Sequence, residues 1–480
     1  MSVPETIFPP KISQDLQKNI DQVFVSQLDG SIFLRASSYA DRIKRLDKFR
    51  KALVSYQREI IAAGAKDFGK PEKEVEMGEI LPLILELDDT RKHLKKWLKP
   101  KSVAATAMTL GTKSFIKYEP LGRCLIISPW NYPVLLTFGP MIAAISAGNA
   151  VIIKTSELTP NLSSVMVKIV EAAFELSEVA IFEGESSVAT ALLSLPFDHM
   201  FFTGSTAVGR VVMAAAANHL SRVTLELGGK SPVIIDQSAD LALAARTISG
   251  GKFFNAGQTC VAPDHVYVHH SVYEEFVQLL RDAIVEGFGE GASAKSPGYA
   301  RIVNKRHMER LSMLYNDALN LGATVIEGGD MDSEECFISP TLLADVPQGA
   351  CIMEQEIFGP ILPILTYTEI NHVIANLSVR ARPLAIYLWS RDKHVNESVI
   401  SHTHSGAVCI NQGATHFIQH RLPFGGVGES GMGNYHGEFG IREFSYERPV
   451  METTLMLSTL FLPPLSNRAQ KIVKWLISKK

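Results

Sequence analysis

Between residues 124 and 236, short apolar runs alternate with helical stretches, and this alternation limits the fold more than any other feature of the chain. The runs CLIISPW (124–130), AVIIK (150–154), VAIFEG (179–184), HMFFTGS (199–205), VTLELGG (223–229) and PVIID (232–236) have the β-branched and aromatic character of buried strands. Helical stretches at 134–147, 161–176 and 207–217 fall between them. A strand–helix–strand order predicts a parallel sheet with helices on both faces. A second alternating block begins near residue 241, with strands at 265–269, 323–329 and 384–390 and helices at 272–285 and 305–321. Residues 32–96 read as solvated outer helices, and the Thr/Lys/Ile-rich stretch 106–119 as an extended arm. The expectation is two α/β domains around a cleft, with an arm able to pair with a second subunit.

The apolar run 134–153 is long enough to imitate a membrane span. Gly139, Pro140, Gly148 and Asn149 interrupt it, which favours a buried helix running into a buried strand. The start of the chain, MSVPETIFPPK, has no apolar core and does not read as a secretory signal. A formal net charge of -3 gives no electrostatic case for a nucleic-acid partner. The five cysteines are scattered and never spaced C-x-x-C, which argues against a disulfide framework or zinc knuckle and for a reducing, cytoplasmic setting. No metal-ligand cluster stands out in the spacing, so no metal is expected.

Several short motifs carry chemistry. FFNAGQTCVAPD (253–264) holds Cys260 among small and turn-forming residues, whereas structural cysteines sit more often among Val, Leu and Ile. TLELGGKSP (224–232) sets Glu226 between apolar neighbours at a strand end. Desolvation there raises a carboxyl pKa towards a useful base, although a simple strand-end charge fits the same residues. SPWNYP (128–133) fixes Asn131 at a strand-to-helix turn, for turn geometry or for an amide aimed at a developing oxyanion. FFTGSTAVG (201–209) follows a strand and opens a helix, so Gly204 and Ser205 could receive a pyrophosphate or simply make a tight turn. IIKTSELTP (152–160) ends a strand in Lys154 with Glu157 beyond, suited to ribose hydroxyls or to a solvated surface. QEIFGPILP (355–363) offers Glu356 and Phe358 for a ribose and a flat ring, or as a loop acid and a core aromatic.

Taken in order with FNAGQTC and LPFGG, these motifs resemble the aldehyde dehydrogenase superfamily over residues 35–450. CVAPD and LPFGGVGESGMGNYHG are similar to the class 3 branch of fatty- and aromatic-aldehyde enzymes, and FFNAGQTCVAPD to coniferyl aldehyde dehydrogenases. The resemblance implies an α/β fold with a Rossmann-type cofactor domain (1–105 and 120–225), an α/β catalytic domain (226–430) and a β oligomerisation arm (106–119 and 431–455). It implies Cys260 as nucleophile, Asn131 as oxyanion donor and Glu226 as the base that hydrolyses a thioester. NAD, with NADP also accepted, would contact Lys154, Glu157, Gly204, Ser205, Gly209, Leu227, Glu356 and Phe358. An aldehyde would meet Tyr132, Thr259, His416, Phe417 and Phe424. The implied assembly is a homodimer. An acyl-transferring enzyme that uses coenzyme A, or a non-catalytic protein on the same fold, are the alternatives.

Two positions depart from the family pattern: Thr155, where proline is usual, and Ile410–Asn411–Gln412 followed by GATHFIQH in the loop expected to line the substrate tunnel. The tail, 456–480, ends in a short basic helix with Ala469, Ile472, Val473 and Leu476 on one face. It suits packing over the substrate mouth or peripheral contact with an anionic membrane.

Overall fold

The computed structural model describes residues 12–106, 109–289, 298–453, 455, 462–464 and 466–478. Its first sheet has six strands, in the spatial order Gly431–Met432, Arg222–Leu227, His199–Gly204, Arg123–Ile127, Ala150–Lys154, Val179–Phe182. The last five run parallel, and only Gly431–Met432 is antiparallel. Winding goes outward from Arg123–Ile127 in one direction, then returns to its other side at His199–Gly204. Ligands of such sheets bind where the winding reverses, outside the carboxyl ends of those two strands. The residues that follow those ends are the Asn131 turn and Ser205.

The run that imitated a membrane span is the helix Pro133–Ala147, buried at every position but Leu136, followed by the fully buried strand Ala150–Lys154. Pro133 starts the helix, where its missing N–H costs nothing, and Gly148 ends it at φ 98°. No described helix is long and apolar enough to cross a membrane.

A second sheet has seven strands, in the order Thr324–Glu327, Thr341–Ala344, Ile361–Tyr367, His265–His269, Pro232–Ile235, Ala385–Trp389, Ala407–Ile410. All but Thr324–Glu327 are parallel. The arm is a separate three-stranded antiparallel sheet in which Thr112–Pro120 pairs with Lys101–Val103 and with Ser445–Thr453. Gly431–Met432, expected in that arm, lies instead at the edge of the six-stranded sheet.

The helical outer layer begins earlier than residue 32. A helix spans Gln14–Arg35, capped by Ser13. It docks through Ile20, Val23, Phe24 and Leu34 and through Gln27, whose amide donates to the carbonyls of Val151 and Leu176. Polar residues dilute its apolar stripe, which hides it from a periodicity reading. One turn of π-helix, Glu76–Ile80, interrupts the helical run that ends at Trp97. Such turns often mark functional places. Here a Cβ on Gly78 would lie 2.9 Å from the Tyr132 ring.

Candidate active site

Cys260 is positioned by a backbone that few residues tolerate. Asn255 and Ala256 have φ of 53° and 51°, and Gly257 follows at 73°. A Cβ at Gly257 would fall 2.3 Å from the carbonyl oxygen of Gly359, so only glycine fits this passage. Gln258 ties the loop down: its amide donates to the carbonyls of Asn255 and Arg301 and its oxygen accepts from the N–H of Val303. Strained left-handed residues persist when their surroundings over-determine them, and they cluster at functional sites.

The Asn131 turn is joined to this loop. The Asn131 amide donates to the carbonyl of Gln258 at 3.0 Å, and Asn255 Nδ2 donates to the carbonyl of Asn131 at 3.2 Å. Behind the turn lies a buried ion pair. Lys70 Nζ sits 2.9 Å from Glu79 Oε1 and donates to the Asn131 carbonyl at 3.1 Å, lying 4.0 Å from the centre of the Tyr132 ring. Glu79 Oε2 accepts from the N–H groups of Val134 and Leu135, both at 3.0 Å, and so caps the helix that follows. Sequence reasoning missed Lys70 and Glu79, which lie in an ordinary-looking amphipathic stretch.

Cys260 opens onto a cavity of about 340 Å³. Glu226, Tyr132, Thr259, Phe417, Phe424 and Leu227 share its wall. Tyr132 and Thr259 are joined through their hydroxyls at 2.8 Å. Much of the remaining lining is hydrocarbon or aromatic, including Met77, Leu135, Ile418 and Tyr435, none of which was anticipated. His416 does not line the cavity. Its ring packs between Tyr387 and Phe424, and burial pushes its pKa down to about 4. The expectation for His416 fails because the 3-10 turn Ala414–Ile418 presents Ala414, Thr415, Phe417 and Ile418 to the cavity and turns His416 behind it. The Asn131 side chain is buried beside the cysteine loop and is not part of the cavity wall.

Glu226 stands on the strand Arg222–Leu227, opposite Gly431. Neither carboxylate oxygen meets a hydrogen-bond donor among the described residues. Burial, with the nearby Glu443 charge adding to it, holds this carboxyl well above its ordinary pKa. The Cys260 thiol is pushed up to about 12 by burial and by the charges of Glu356 and Glu226, against the pull of the N–H groups of Cys260 and Val261. The enclosure around Cys260 and Glu226 is mostly apolar, and it raises the pKa of both groups.

The expected cofactor residues lie at the carboxyl ends of the first sheet's strands and on the loop facing them. Ser205 caps the 12-residue helix Thr206–Ala217 by accepting from the N–H of Val208, and the other N–H groups of that first turn lack helical partners. A Cβ on Gly209 would lie 2.8 Å from Leu227, so this glycine permits close packing of helix on sheet, and one on Gly204 would lie 2.5 Å from the Phe202 ring two residues back on the same strand. Lys154 uses two of its three donors on the carbonyl of Thr155 at 2.6 Å and on Glu157 at 3.2 Å. Thr155, the unusual residue here, donates its N–H to Phe182 at 3.1 Å, a bond that proline could not make. A Cβ on Gly228 would lie 2.1 Å from the Glu356 carboxylate, so this acid lies directly against the end of the first sheet. Burial raises Glu356 to about 7, opposed by the N–H of Gly229. Phe358, at φ 48°, meets Trp130 edge-on at 5.4 Å. A helix end able to receive a phosphate, a lysine–carboxylate pair two strands away in the same sheet and an acid opposite fit a dinucleotide.

The model of the aldehyde dehydrogenase family matches residues 12–450. The chain belongs to that family. The 4,4'-diaponeurosporen-aldehyde dehydrogenase of Staphylococcus aureus is 43% identical to this enzyme over 432 residues, 90% of this chain and 93% of that one. The mouse aldehyde dehydrogenase family 3 member A2 is 38% identical over 442 residues, 92% and 90% of the two chains, as the class 3 resemblance implies. Among solved structures, the substrate-bound state of Staphylococcus aureus AldH superposes with a TM-score of 0.91 at 41% identity, covering 95% of this chain and 99% of that one. An NADP-dependent Escherichia coli enzyme superposes at 0.83 with 26% identity, covering 92% and 91%. This aldehyde dehydrogenase is an NAD(P)-dependent oxidoreductase acting on aldehydes.

Proposed function

We propose that the enzyme oxidises apolar aldehydes, medium- or long-chain aliphatic or aromatic ones such as coniferyl aldehyde, to carboxylic acids through acyl chemistry on Cys260. The observation that carries this reading is that Cys260 and Glu226 face one enclosed cavity whose wall is otherwise largely hydrocarbon and aromatic. The likeness to an enzyme named for 4,4'-diaponeurosporen-aldehyde also supports an apolar substrate.

The Cys260 sulfur, after giving its proton up to water, adds to the aldehyde carbon and forms a thiohemiacetal. Its oxyanion would be held by the N–H of Cys260 and by the Asn131 Nδ2 proton left over from the bond to the Gln258 carbonyl, and collapse of that oxyanion drives the oxidation. NAD(P), when bound, supplies the hydride acceptor. Gly204 and Ser205 would hold its pyrophosphate end, with Gly209 and Leu227 beside it, Lys154 and Glu157 one ribose, and Glu356 with Phe358 the other. Oxidation leaves a thioester on Cys260. Glu226 takes a proton from the water that attacks it, for which a carboxyl raised above its usual pKa has the needed basicity. The dry wall keeps other water from the adduct.

The test is turnover of purified enzyme with NAD and with NADP, using decanal and a cinnamyl-type aldehyde. Reduced cofactor should form in step with carboxylic acid, and Cys260→Ala should abolish both. Undiminished turnover in that variant refutes the covalent route. An acyl-coenzyme A product, formed only when coenzyme A is added, would instead favour the transferase reading that Glu226 argues against.

The same reading extends to assembly and place. The arm carries an exposed outer strand, Lys101–Val103, suited to meeting a second copy, so a homodimer is proposed, tested by light scattering on the eluting protein. The helix Asn467–Ser478 exposes Trp475 and Ile477 beside Arg468, Lys471 and Lys474, which suits peripheral contact of a cytoplasmic enzyme with an anionic membrane. Equal sedimentation with neutral and anionic vesicles would remove that proposal.

A further inference from the structure

Behind the wall of the substrate cavity, three ligating side chains from distant parts of the chain converge. Glu86 comes from the helix Leu81–Trp97, and His420 and His436 flank the glycine-rich segment between them. All three are buried, and one ligand atom of each lies within 4.8 Å of the others. Glu86 Oε1 and His436 Nδ1 are 3.3 Å apart. A charge-assisted hydrogen bond is typically about 2.7–2.9 Å. Two ligands each about 2.0 Å from a tetrahedral zinc lie about 3.3 Å apart.

Two further observations point to a missing partner. The second carboxylate oxygen of Glu86 is buried with no hydrogen-bond partner among the described residues. Buried polar atoms are almost always paired. The backbone is also committed to this meeting. His436 is held at φ 84° and Gly437 at 48°, and a Cβ on Gly437 would lie 2.3 Å from the carbonyl oxygen of His420.

We propose that Glu86, His420 and His436 bind a single divalent cation of the zinc class. Two imidazoles and one carboxylate are a ligand set that zinc, cobalt and nickel accept and that calcium and magnesium do not favour. The free oxygen of Glu86 supplies a fourth position. The His436 ring stacks on Tyr435 with centroids 4.2 Å apart and meets Phe424 at 5.5 Å. Tyr435 and Phe424 line the substrate cavity. The cation is therefore a structural clamp that fixes one wall of the cavity to the helix Leu81–Trp97, and it takes no part in the chemistry at Cys260.

The experiment uses the full chain carrying Cys260→Ala, which removes the cavity thiol as a competing ligand. The protein is stripped with a chelator, then dialysed against cobalt or zinc, and metal per chain is measured by mass spectrometry. The expected result is one ion per chain, the visible ligand-field bands of four-coordinate cobalt, and a metal-dependent rise in melting temperature. Adding Glu86→Gln or His436→Gln should remove all three. If those variants do not fold, His420→Ala and the metal dependence of the parent's own melting temperature provide the same decision. No bound metal in the parent, or equal metal in parent and variants, overturns the proposal and leaves a plain imidazole–carboxylate pair.

Discussion

Lys70→Met tests whether the buried pair beneath the Asn131 turn holds the active site in shape. The ammonium group is completely enclosed, with its two oxygen partners at 2.9 and 3.1 Å. Methionine matches the stem but leaves the Glu79 carboxylate with only the N–H groups of Val134 and Leu135. Removing one partner of a buried pair costs roughly 3–5 kcal/mol, because the other charge stays behind without compensation. The Asn131 carbonyl also loses a donor and keeps only Asn255 Nδ2. A displacement of about 1 Å at a positioning element can cost roughly 100-fold in rate. Urea unfolding should therefore show a loss of about 3–5 kcal/mol. Initial rates of cofactor reduction should fall mainly in kcat. The double change Lys70→Met with Glu79→Leu should be less destabilised than Lys70→Met alone, since no lone charge remains. Stability within about 1 kcal/mol of wild type, on the scale of an exposed pair, together with normal kcat would refute the reasoning.

Glu226→Gln should leave the first oxidation intact and stall hydrolysis. Rapid mixing should then show a burst of reduced cofactor equal to the enzyme present, followed by turnover slowed roughly 100- to 10,000-fold; loss of the burst itself would assign Glu226 an earlier role. Glu74 offers a stability test. Burial raises its carboxyl to about 7, against the Lys70 charge and the N–H of Asn255. The folded state holds this proton more tightly than the unfolded one, so its contribution is fully present below about 4.5 and is lost as pH rises through about 7, a change of about 3 kcal/mol. Glu74→Gln, whose amide oxygen can still accept from Asn255, should remove that part of the pH dependence; identical stability–pH curves for both proteins would contradict it.

The first sheet was legible in the residues themselves. A strand buried on both faces must be β-branched or aromatic at nearly every position, as AVIIK (150–154) is, and a helix between two such strands must return the chain in parallel. Glycines forced by close approach, such as Gly257, leave a local mark because no other residue fits. Cys260 stood out through its small and turn-forming neighbours only together with the other motifs along the chain. These are short-range rules, and they act within one element or one turn.

Only the tertiary structure decided which distant side chains share a space. Glu86 and His436 lie 350 positions apart and carry no common period or spacing, so nothing local announces their meeting. The Lys70–Glu79 pair looks like any charged pair on a solvated helix until the Asn131 turn is folded over it. His416 lies in the loop that the family resemblance sets along the substrate tunnel, yet one 3-10 turn aims it the other way. Desolvation likewise belongs to the folded chain: the same carboxyl is an ordinary acid in a peptide and a raised one where strand, loop and helix exclude water around Glu226.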